Sequence, residues 1–298
     1  MNTKRFLLAT LVVVITFIGY SLQHQPSLTH AQPDLSNVEF PSGDITLAGR
    51  VDLPVGDGPF PGVVMVHGSG RVPRTHSGFI AGQLVNAGYA VLRYDKRGVG
   101  ESEGFYSDVN PSNSEGVLHT LAQDALAGVA FLRSLGVVID DQVGLFGNSQ
   151  AGWIIPQSAA QNEAIAFSVI LVGPAVSVGE EIFYSNLTGG NPNTLTDERL
   201  DEISERLANF RGRPGFHPRE SIETMNGPAI WILGRRDASI PTRETVAILE
   251  DIKTSLDKDI TIHVFLTGTH GLTDVNTGQI LPFMNVALNW LNDIINAQ

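Results

Sequence analysis

The 298-residue sequence predicts an α/β fold in which a mainly parallel central sheet is covered by helices on both faces. Three observations lead to this prediction. Strand-like and helix-like segments alternate along most of the chain, as right-handed crossovers between parallel strands require. The run Val63–Val66 is apolar without interruption, which is typical of a strand buried on both faces. The length and the 42% share of apolar residues suffice for one domain with a large core.

The expected elements follow one another in a regular order. Two strand-like runs, Val38–Phe40 and Ile45–Leu53, flank the turn residues 41–44 and predict an antiparallel hairpin. Further strands are expected at Gly62–His67, Ala90–Tyr94, Val143–Phe146, Ile165–Val172, Ala229–Leu233 and Ile260–Leu266. Helices are expected at Phe79–Ala87, Leu118–Leu135, Gly152–Ala160 and Arg243–Thr254, and a last helix carries an apolar stripe from Ile280 to Ile295.

The segment from about residue 174 to residue 225 interrupts this alternation. It holds a charged helical pattern over Thr196–Phe210 and a loop of glycine, asparagine and proline residues at 189–193. Thr196 suits the start of that helix because its hydroxyl can accept a hydrogen bond from a free backbone amide. A detour of this kind between two strands predicts a small helical lid inserted into a single domain, residues 32–298.

The first 31 residues have the layout of a signal peptide. Two cations, Lys4 and Arg5, precede an uncharged run from Phe6 to Tyr20, and a polar stretch follows. The small residues Thr29 and Ala31 predict cleavage after Ala31, which would make the protein secreted or periplasmic. The alternative is an uncleaved membrane anchor, although the 15 residues of the run are fewer than the roughly 20 that span a bilayer.

Charge and composition exclude several classes of partner. The net charge is −12, and cleavage of the leader would remove two cations and no anion, leaving −14. Such a surface repels nucleic acid and anionic membranes. The chain has no cysteine, which excludes disulfides and a lipid-bearing cysteine. The sequence has no metal-binding pattern and no complete G-x-G-x-x-G motif, so it predicts neither a metal nor a nucleotide cofactor. The expected partner is a small-molecule substrate.

A serine lies where a predicted strand gives way to a predicted helix. Ser149 stands between Gly147 and Ala151 in the pattern G-x-S-x-A, one change from the usual G-x-S-x-G. The neighbouring residues must be small because the sharp turn strains the serine backbone and brings these positions together. We therefore predict that Ser149 is a nucleophile. An ordinary serine in a glycine-rich turn is the alternative.

A serine hydroxyl needs a base to take its proton and a carboxylate to orient that base. Asp237 and His270 each follow a predicted strand, and they are the expected acid and base. The alternative for Asp237 is a turn cap or an ion pair with one of the arginines that precede it. The nearest rival base is His263, whose place inside a strand favours a packing role instead.

Negative charge that develops on an acyl oxygen needs backbone amides directed at it. We expect one amide from Gln150, directly after the nucleophile, and the other from Ser69, in the loop after the third strand, with Gly68 as the alternative. His67, in the same loop, is expected to hold the loop by hydrogen bonding. Trp153 is a candidate for binding substrate, although core packing would explain it equally well.

Three segments together resemble the α/β-hydrolase superfamily. They are Val66–Gly70, Leu92–Ser102 and Gly147–Gly152. Within the superfamily the chain is similar to serine esterases and acyl hydrolases related to dienelactone hydrolases and to the prolyl oligopeptidase catalytic domain. The resemblance covers about residues 37–297, and it implies the α/β-hydrolase fold.

The resemblance also carries expectations about single residues. The superfamily has the chain order nucleophile, acid, base, which Ser149, Asp237 and His270 follow. In the superfamily, the segment that corresponds to Leu92–Ser102 has a structural role. The resemblance therefore implies that Asp95 and Arg97 form a buried pair and take no part in catalysis.

On these residues the expected function is hydrolysis of carboxylic esters of short or medium acyl chain through an acyl-enzyme intermediate. One alternative is an exopeptidase or amidase that uses the same three residues. In that case Glu180 and Glu181 would hold the free amine of the substrate. The alternative explanation is that the two glutamates form the acidic first turn of a solvent-exposed helix. A catalytically silent, secreted binding protein is the third hypothesis.

Overall fold

The structure is a computed structural model, and it describes residues 34–297. The predicted leader, residues 1–31, lies outside the described residues. Within the described part of the chain, no helix combines the length and the apolar character needed to cross a membrane.

The strands of the described residues form one eight-stranded sheet. They are β1 Val38–Ser42, β2 Ile45–Asp52, β3 Phe60–Val66, β4 Ala90–Tyr94, β5 Val138–Asn148, β6 Ser168–Leu171, β7 Ala229–Gly234 and β8 Ile260–Phe265. Their order in the sheet is β1-β2-β4-β3-β5-β6-β7-β8. β2 pairs antiparallel with β1 and β4, and every other neighbouring pair is parallel. The predicted mainly parallel sheet and its hairpin are confirmed.

Helices connect the parallel strands. They are α1 Gly78–Asn86, α2 Ser114–Ser134, α3 Ala151–Gln161, α4 Val178–Thr188, α5 Asp197–Ala208, α6 Arg219–Thr224, α7 Thr242–Leu256 and α8 Phe283–Ala297. Three of them, α4, α5 and α6, lie between β6 and β7, in the segment for which the sequence predicts a lid. Thr196 caps α5 as expected, because its hydroxyl accepts from the Arg199 amide at 3.2 Å.

Adjacent residues of a buried strand contact opposite layers of helices, since side chains alternate across a sheet. In β3, Val64 belongs to a cluster with residues of α2, α3 and α7. Its neighbour Val63 belongs to a cluster with residues of α1 and α8. Both valines are fully buried. The prediction of helices on both faces is therefore confirmed.

The last helix begins later than the sequence predicts. α8 starts at Phe283, and Ile280, which was expected within the apolar stripe, is 66% exposed and pairs in an isolated bridge with Thr273. Pro282 gives the physical reason. A proline disfavours the helical conformation for the residue before it but is readily accommodated at a helix start, so the helix cannot extend back through this point.

The strand order reverses beside β3, because β4 lies on one side of it and β5 on the other. Ligands of open α/β sheets bind in the crevice that opens at such a point, outside the carboxyl ends of the strands. The loops that follow β3, β5, β7 and β8 leave this same edge of the sheet. They carry the four predicted residues Ser69, Ser149, Asp237 and His270.

Candidate active site

Ser149 occupies a strained turn between β5 and α3. Its φ is 55°, in the left-handed region that residues with a Cβ seldom adopt. The turn is fixed by hydrogen bonds from the Ser149 amide to the Leu171 carbonyl at 2.8 Å and from the Gly152 amide to the Ser149 carbonyl at 2.9 Å. A strained residue of this kind costs about 1–3 kcal/mol and persists only where the surrounding structure holds it.

The small residues around Ser149 are explained by direct contacts. A Cβ atom on Gly147 would lie 2.5 Å from the Ala151 Cβ and 2.7 Å from the Val66 carbonyl oxygen. Both distances are shorter than real Cβ contacts. Because position 151 carries a methyl group, position 147 must be a glycine for the turn to close.

Asp237 and His270 lie in direct contact. The His270 Nδ1 atom is 2.8 Å from the Asp237 Oδ2 atom, and Asp237 is completely buried. The other carboxylate oxygen, Oδ1, accepts from the amides of Ser239 and Ile240 at 2.7 and 2.8 Å. These amides fix the carboxylate, which in turn orients the imidazole. In neutral His270, Nδ1–H donates to Asp237 and Nε2 remains free to accept a proton.

The protonation of His270 reflects two opposing effects. Burial disfavours the imidazolium and by itself lowers the pKa of His270. The hydrogen bond and charge of Asp237, together with the charge of Glu181, outweigh burial and raise the pKa of His270 above its usual value. The nearby negative charge therefore makes His270 a stronger base.

The structure brings Ser149, Asp237 and His270 to one edge of the sheet, but Ser149 and His270 are not in hydrogen-bond contact. Within residues 34–297, no hydrogen bond joins the Ser149 hydroxyl to the His270 ring. Nucleophile-to-base contacts in substrate-free enzymes are often long and tighten when substrate binds. Ser149 therefore has the backbone geometry of a nucleophile, and Asp237 with His270 has that of an acid–base pair.

Ser69 and Gln150, the predicted oxyanion donors, line a common cavity of about 100 Å³. Trp153 also lines it. This side chain is only 4% exposed, and its indole nitrogen donates to the Val176 carbonyl at 2.9 Å. Trp153 thus serves both as a packed side chain and as part of the cavity wall. Other lining residues come from the loop after β4 and from α4, namely Tyr106, Asp108 and Glu181.

Sequence reasoning missed Lys96, which bonds to both of the segments that carry Ser69 and Gln150. Lys96 is 2% exposed, and its Nζ atom donates to the Gly68 carbonyl at 2.9 Å and to the Gln150 side-chain oxygen at 2.7 Å. Burial lowers the pKa of Lys96 to about 8. The only signal in the sequence is a lysine directly after an apolar strand, which is not distinguishable from an ordinary surface cation.

The expected pair of Asp95 and Arg97 is wrong. Asp95 pairs with Arg74 at 2.7 Å and also accepts from the amides of Arg74 and Glu101. Arg97 instead forms two hydrogen bonds with Asp124 of α2, at 2.7 and 2.5 Å. The carboxylate of Asp95 already binds Arg74 and Glu101. Arg97 therefore extends in another direction and contacts Asp124, which lies 27 residues later in the chain.

The remaining histidines have structural contacts. The His67 Nε2 atom lies 2.6 Å from the Tyr94 carbonyl oxygen, the hydrogen bond that the sequence leads us to expect. Burial lowers the pKa of His67 to about 4, so the ring is neutral near pH 7 and can donate to that carbonyl. His263 lies within β8, with its ring 4.5 Å from that of Phe265.

The two glutamates at the start of α4 have different surroundings. Glu180 accepts from the amide of Ser177 at 2.9 Å and from its hydroxyl at 2.5 Å, which completes a capping box. Glu181 lines the cavity, and burial raises the pKa of its carboxyl to about 7, although the nearby His270 acts in the opposite direction. Only Glu181 is therefore available to a substrate.

Tyr184, one helical turn beyond Glu180, supports the acid of the pair. Its hydroxyl donates to the Asp237 carbonyl at 2.7 Å, and its side chain is buried. The inserted segment thus contacts the Asp237 loop directly. Among the residues that the structure describes, no three histidines or acidic side chains are grouped as a metal site would require.

Comparison with known proteins gives one family and several relatives. Residues 63–271 match the profile of the alpha/beta hydrolase family. The chain is similar to Esterase EstD of Thermotoga maritima, with 32% identity over 231 residues that cover 73% of this chain and 52% of that protein. It is also similar to Quorum-quenching protein AidA of Acinetobacter baumannii, with 29% identity over 130 residues that cover 44% of this chain and 41% of that protein. The chain thus spans about half or less of the length of these relatives.

A solved structure with a similar fold is that of the Pyrococcus furiosus esterase Pf2001. The TM-score is 0.63, and the match covers 86% of this chain and 91% of that one. The two sequences are 17% identical, so the likeness concerns the fold alone.

Proposed function

The chain belongs to the alpha/beta hydrolase family, and on that premise we propose that it hydrolyses carboxylic esters through an acyl-enzyme intermediate on Ser149. The observation that carries the proposal is the buried Asp237 carboxylate, bonded to His270 at 2.8 Å, at the edge of the sheet where the strained Ser149 also lies. A buried carboxylate that orients an imidazole is the arrangement needed to activate a serine hydroxyl.

The mechanism assigns one step to each residue. The Ser149 Oγ atom attacks the ester carbonyl carbon while the His270 Nε2 atom takes the hydroxyl proton. The C=O π electrons move to the oxygen, and the amides of Gln150 and Ser69 stabilise the resulting oxyanion. The intermediate collapses, the C–O bond to the alcohol breaks, and His270 protonates the leaving oxygen. Water then attacks the acyl-enzyme by the same route, which regenerates Ser149.

A short or medium acyl group would fit the small cavity that Ser69 and Gln150 line. Its volume of about 100 Å³ is well below the roughly 300–1,000 Å³ of pockets that enclose drug-sized ligands. A relative that carries the name esterase supports an ester substrate. The short acyl chain remains a proposal that rests on this cavity.

The test combines active-site labelling with turnover. A fluorophosphonate probe should label the wild type, and p-nitrophenyl esters of increasing acyl length should be hydrolysed, the short ones fastest. Ser149→Ala should lose the label and reduce kcat by about 10⁴-fold or more, because no other residue replaces the nucleophile. The matched control is Ser255→Ala, an exposed serine of α7, which should keep both. Full turnover in a folded Ser149→Ala protein would contradict the assignment.

One observation favours an exopeptidase as the second candidate. Glu181 lines the cavity beside His270 and would hold a substrate ammonium, whereas Glu180 is committed to its helix cap. If that function is correct, aminoacyl nitroanilides should be cleaved, and Glu181→Gln should impair them selectively. An unchanged rate would remove this candidate. A wild type that binds small molecules but takes no fluorophosphonate label would indicate the silent binding protein instead.

A further inference from the structure

Lys96 is a buried cation between the loop after β3 and the turn after β5, and it is not part of the Asp237–His270 pair. It follows β4 by two residues, and its side chain is 2% exposed. Its ammonium group donates to the Gly68 carbonyl at 2.9 Å, to the Gln150 Oε1 atom at 2.7 Å and, more weakly, to the Gly70 carbonyl at 3.4 Å. Among residues 34–297, no carboxylate forms a salt bridge with it.

We propose that Lys96 is a positioning residue for the oxyanion hole. Its ammonium group holds both amide donors in place and adds a fixed positive charge beside them. The inference rests on the proposed function, since it needs an acyl oxygen that becomes negative in the transition state. The geometry that supports it is the contact of one ammonium group with both loops that supply the donors.

The first contact sets the direction of the Ser69 amide. The Gly68 carbonyl and the Ser69 N–H belong to one planar, trans peptide group, in which they point in opposite directions. Lys96 holds the carbonyl at 2.9 Å on its own side. The Ser69 N–H is thereby directed away from Lys96, and Ser69 is one of the residues that line the cavity. A second bond, from the Lys96 amide to the Val72 carbonyl at 3.1 Å, fixes the same loop further along.

The second contact holds the other donor. Gln150 immediately precedes α3, and its side chain makes no capping bond to that helix. The Gln150 side-chain oxygen instead accepts from Lys96, and Gln150 is 4% exposed. One ammonium group thus ties the loop after β3 to the turn after β5. Relative motion of the two amides is restricted, and a donor pair that is preorganised stabilises an oxyanion more than a mobile one.

Stability alone does not explain a charge at this position. Removing an ammonium from water costs several kcal/mol, and a well-packed apolar side chain of the same length is often at least as stable. The carboxylates that act on Lys96 through space are Asp108, in the loop after β4, and Asp124, in α2. Asp124 already accepts two hydrogen bonds from Arg97. Neither carboxylate therefore neutralises Lys96 by direct contact.

The other charged and titratable groups around Lys96 come from three elements, the loop after β3, the loop after β4 and α4. His67 lies in the loop that Lys96 supports, and burial keeps its pKa low, so it is neutral. The ring of Tyr106 lies 5.7 Å from the Lys96 Nζ atom, and the guanidinium of Arg71 lies 5.1 Å from the same ring. Glu181 lines the cavity from α4. A charge that is retained in such a site is suited to act on the acyl oxygen.

The test replaces the charge and measures kcat and KM separately. Lys96→Met, which keeps the length of the side chain, should lower kcat by about 10- to 100-fold, less than the loss of an entire donor, and leave KM within about threefold. The matched control is Lys253→Met, on the exposed face of α7, which should keep wild-type kcat. An unchanged kcat in a folded Lys96→Met protein would overturn the inference.

The pH profile distinguishes positioning from packing. Because burial lowers the pKa of Lys96 to about 8, the ammonium loses its proton above that pH, and wild-type kcat should fall there. Arginine stays charged throughout, so Lys96→Arg should retain more activity than Lys96→Met and should lack this alkaline fall. An alkaline fall in Lys96→Arg identical to that of the wild type, or none in the wild type, would contradict the proposal.

A second substitution covers the case in which Lys96→Met does not fold. Gln150→Met removes the side-chain acceptor but keeps the backbone N–H at position 150. The variant should lower kcat and leave KM unchanged. Where Lys96→Met does fold, its effect and that of Gln150→Met should not add in the double variant, because both remove one shared contact. Additive effects, or wild-type kcat in folded Gln150→Met, would overturn the inference.

The same assays separate failure of this inference from failure of the proposed function. Wild-type turnover that disappears in Ser149→Ala establishes the serine mechanism, so an unaltered Lys96→Met enzyme then contradicts only the role of Lys96. A wild type with neither label nor turnover contradicts the proposed function and this inference together.

Discussion

At the scale of single residues, burial and local charge set the protonation of the site. Burial moves the pKa of Glu181 up to about 7 and that of Lys96 down to about 8, toward the neutral form of each group. His270 departs from this trend, because the adjacent carboxylates raise its pKa in spite of burial. Of these three groups, His270 is thus the one in which the neighbouring charges outweigh burial.

The first prediction concerns Glu181. Its negative charge favours the imidazolium, so Glu181→Gln should lower the pKa of His270. The reaction needs neutral His270, and activity rises with pH as the ring loses its proton. The acidic limb of kcat/KM should therefore shift to lower pH in Glu181→Gln, as measured with a neutral ester over a range of pH.

The control for this prediction is the neighbouring residue. Glu180→Gln makes the same change at a side chain that caps α4, and glutamine can also complete a capping box. Its acidic limb should coincide with that of the wild type. Equal shifts in the two variants, or a shift to higher pH, would show that Glu181 does not act on His270.

At the scale of elements, the turn from β5 into α3 depends on close backbone contacts. Ser149 adopts a φ of 55°, and Gly147 faces Ala151 across the turn without room for another methyl group. The neighbouring strands hold the turn, because the Ser149 amide donates to the Leu171 carbonyl at the end of β6 and the Val66 carbonyl of β3 fills the space beside Gly147. The position of Ser149 thus depends on the packing of three elements.

Gly147→Ala should destabilise the protein. The new methyl would lie 2.5 Å from the Ala151 Cβ and 2.7 Å from a backbone carbonyl, and overpacking of this kind costs about 1–3 kcal/mol. Urea unfolding measures the effect. Adding Ala151→Gly should restore only part of the loss, because the carbonyl contact remains.

A second glycine gives the opposite expectation. Gly82 lies within α1, and a Cβ there would contact nothing within 4 Å. Alanine at this position should raise the free energy of unfolding by about 0.5–1 kcal/mol, because glycine is unfavourable inside a helix. If both alanine variants change stability in the same direction, the contact argument for the turn is incorrect.

At the scale of the whole molecule, the sheet is covered on both faces. Leu145 and Phe146 are consecutive residues of β5, both completely buried, and they belong to separate clusters on opposite faces. A sheet with one solvated face would expose one of them. The edge that carries the site is thus held between two helical layers.

Truncation on either face should therefore destabilise the protein strongly. Leu145→Ala should cost about 2–5 kcal/mol and Phe146→Ala about 3–5 kcal/mol in free energy of unfolding. Phe79→Ala is the control, because that side chain is 60% exposed, and its effect should stay within about 0.5 kcal/mol. A near-neutral result for either β5 variant would contradict a core on both faces.

Much of this architecture could be predicted from the sequence because it is encoded locally. The apolar run of β3, the alternation of elements and the residues around Ser149 report on positions a few residues apart. The limits of elements were harder to predict. The last helix was predicted to include Ile280, yet it starts at Phe283, because one proline outweighs the apolar periodicity.

Contacts between distant segments could not be predicted. The family resemblance implies a pair of Asp95 and Arg97, but their partners Arg74 and Asp124 come from another loop and a helix. Lys96 has no signal of its own, since its acceptors are a backbone oxygen and a side-chain amide oxygen from two distant segments. Charge and spacing do not encode these partners.

The sequence by itself determined the mainly parallel sheet, its antiparallel hairpin and the order in which Ser149, Asp237 and His270 follow their strands. Those features arise from local propensity and hydrophobic periodicity, which act over a few residues. Only the tertiary structure decided that Glu180 caps a helix while Glu181 lines the cavity, and that Lys96 joins the loop after β3 to the turn after β5. The physical reason is that burial and hydrogen-bond geometry depend on which segments meet in space, and that is fixed only when the whole core packs.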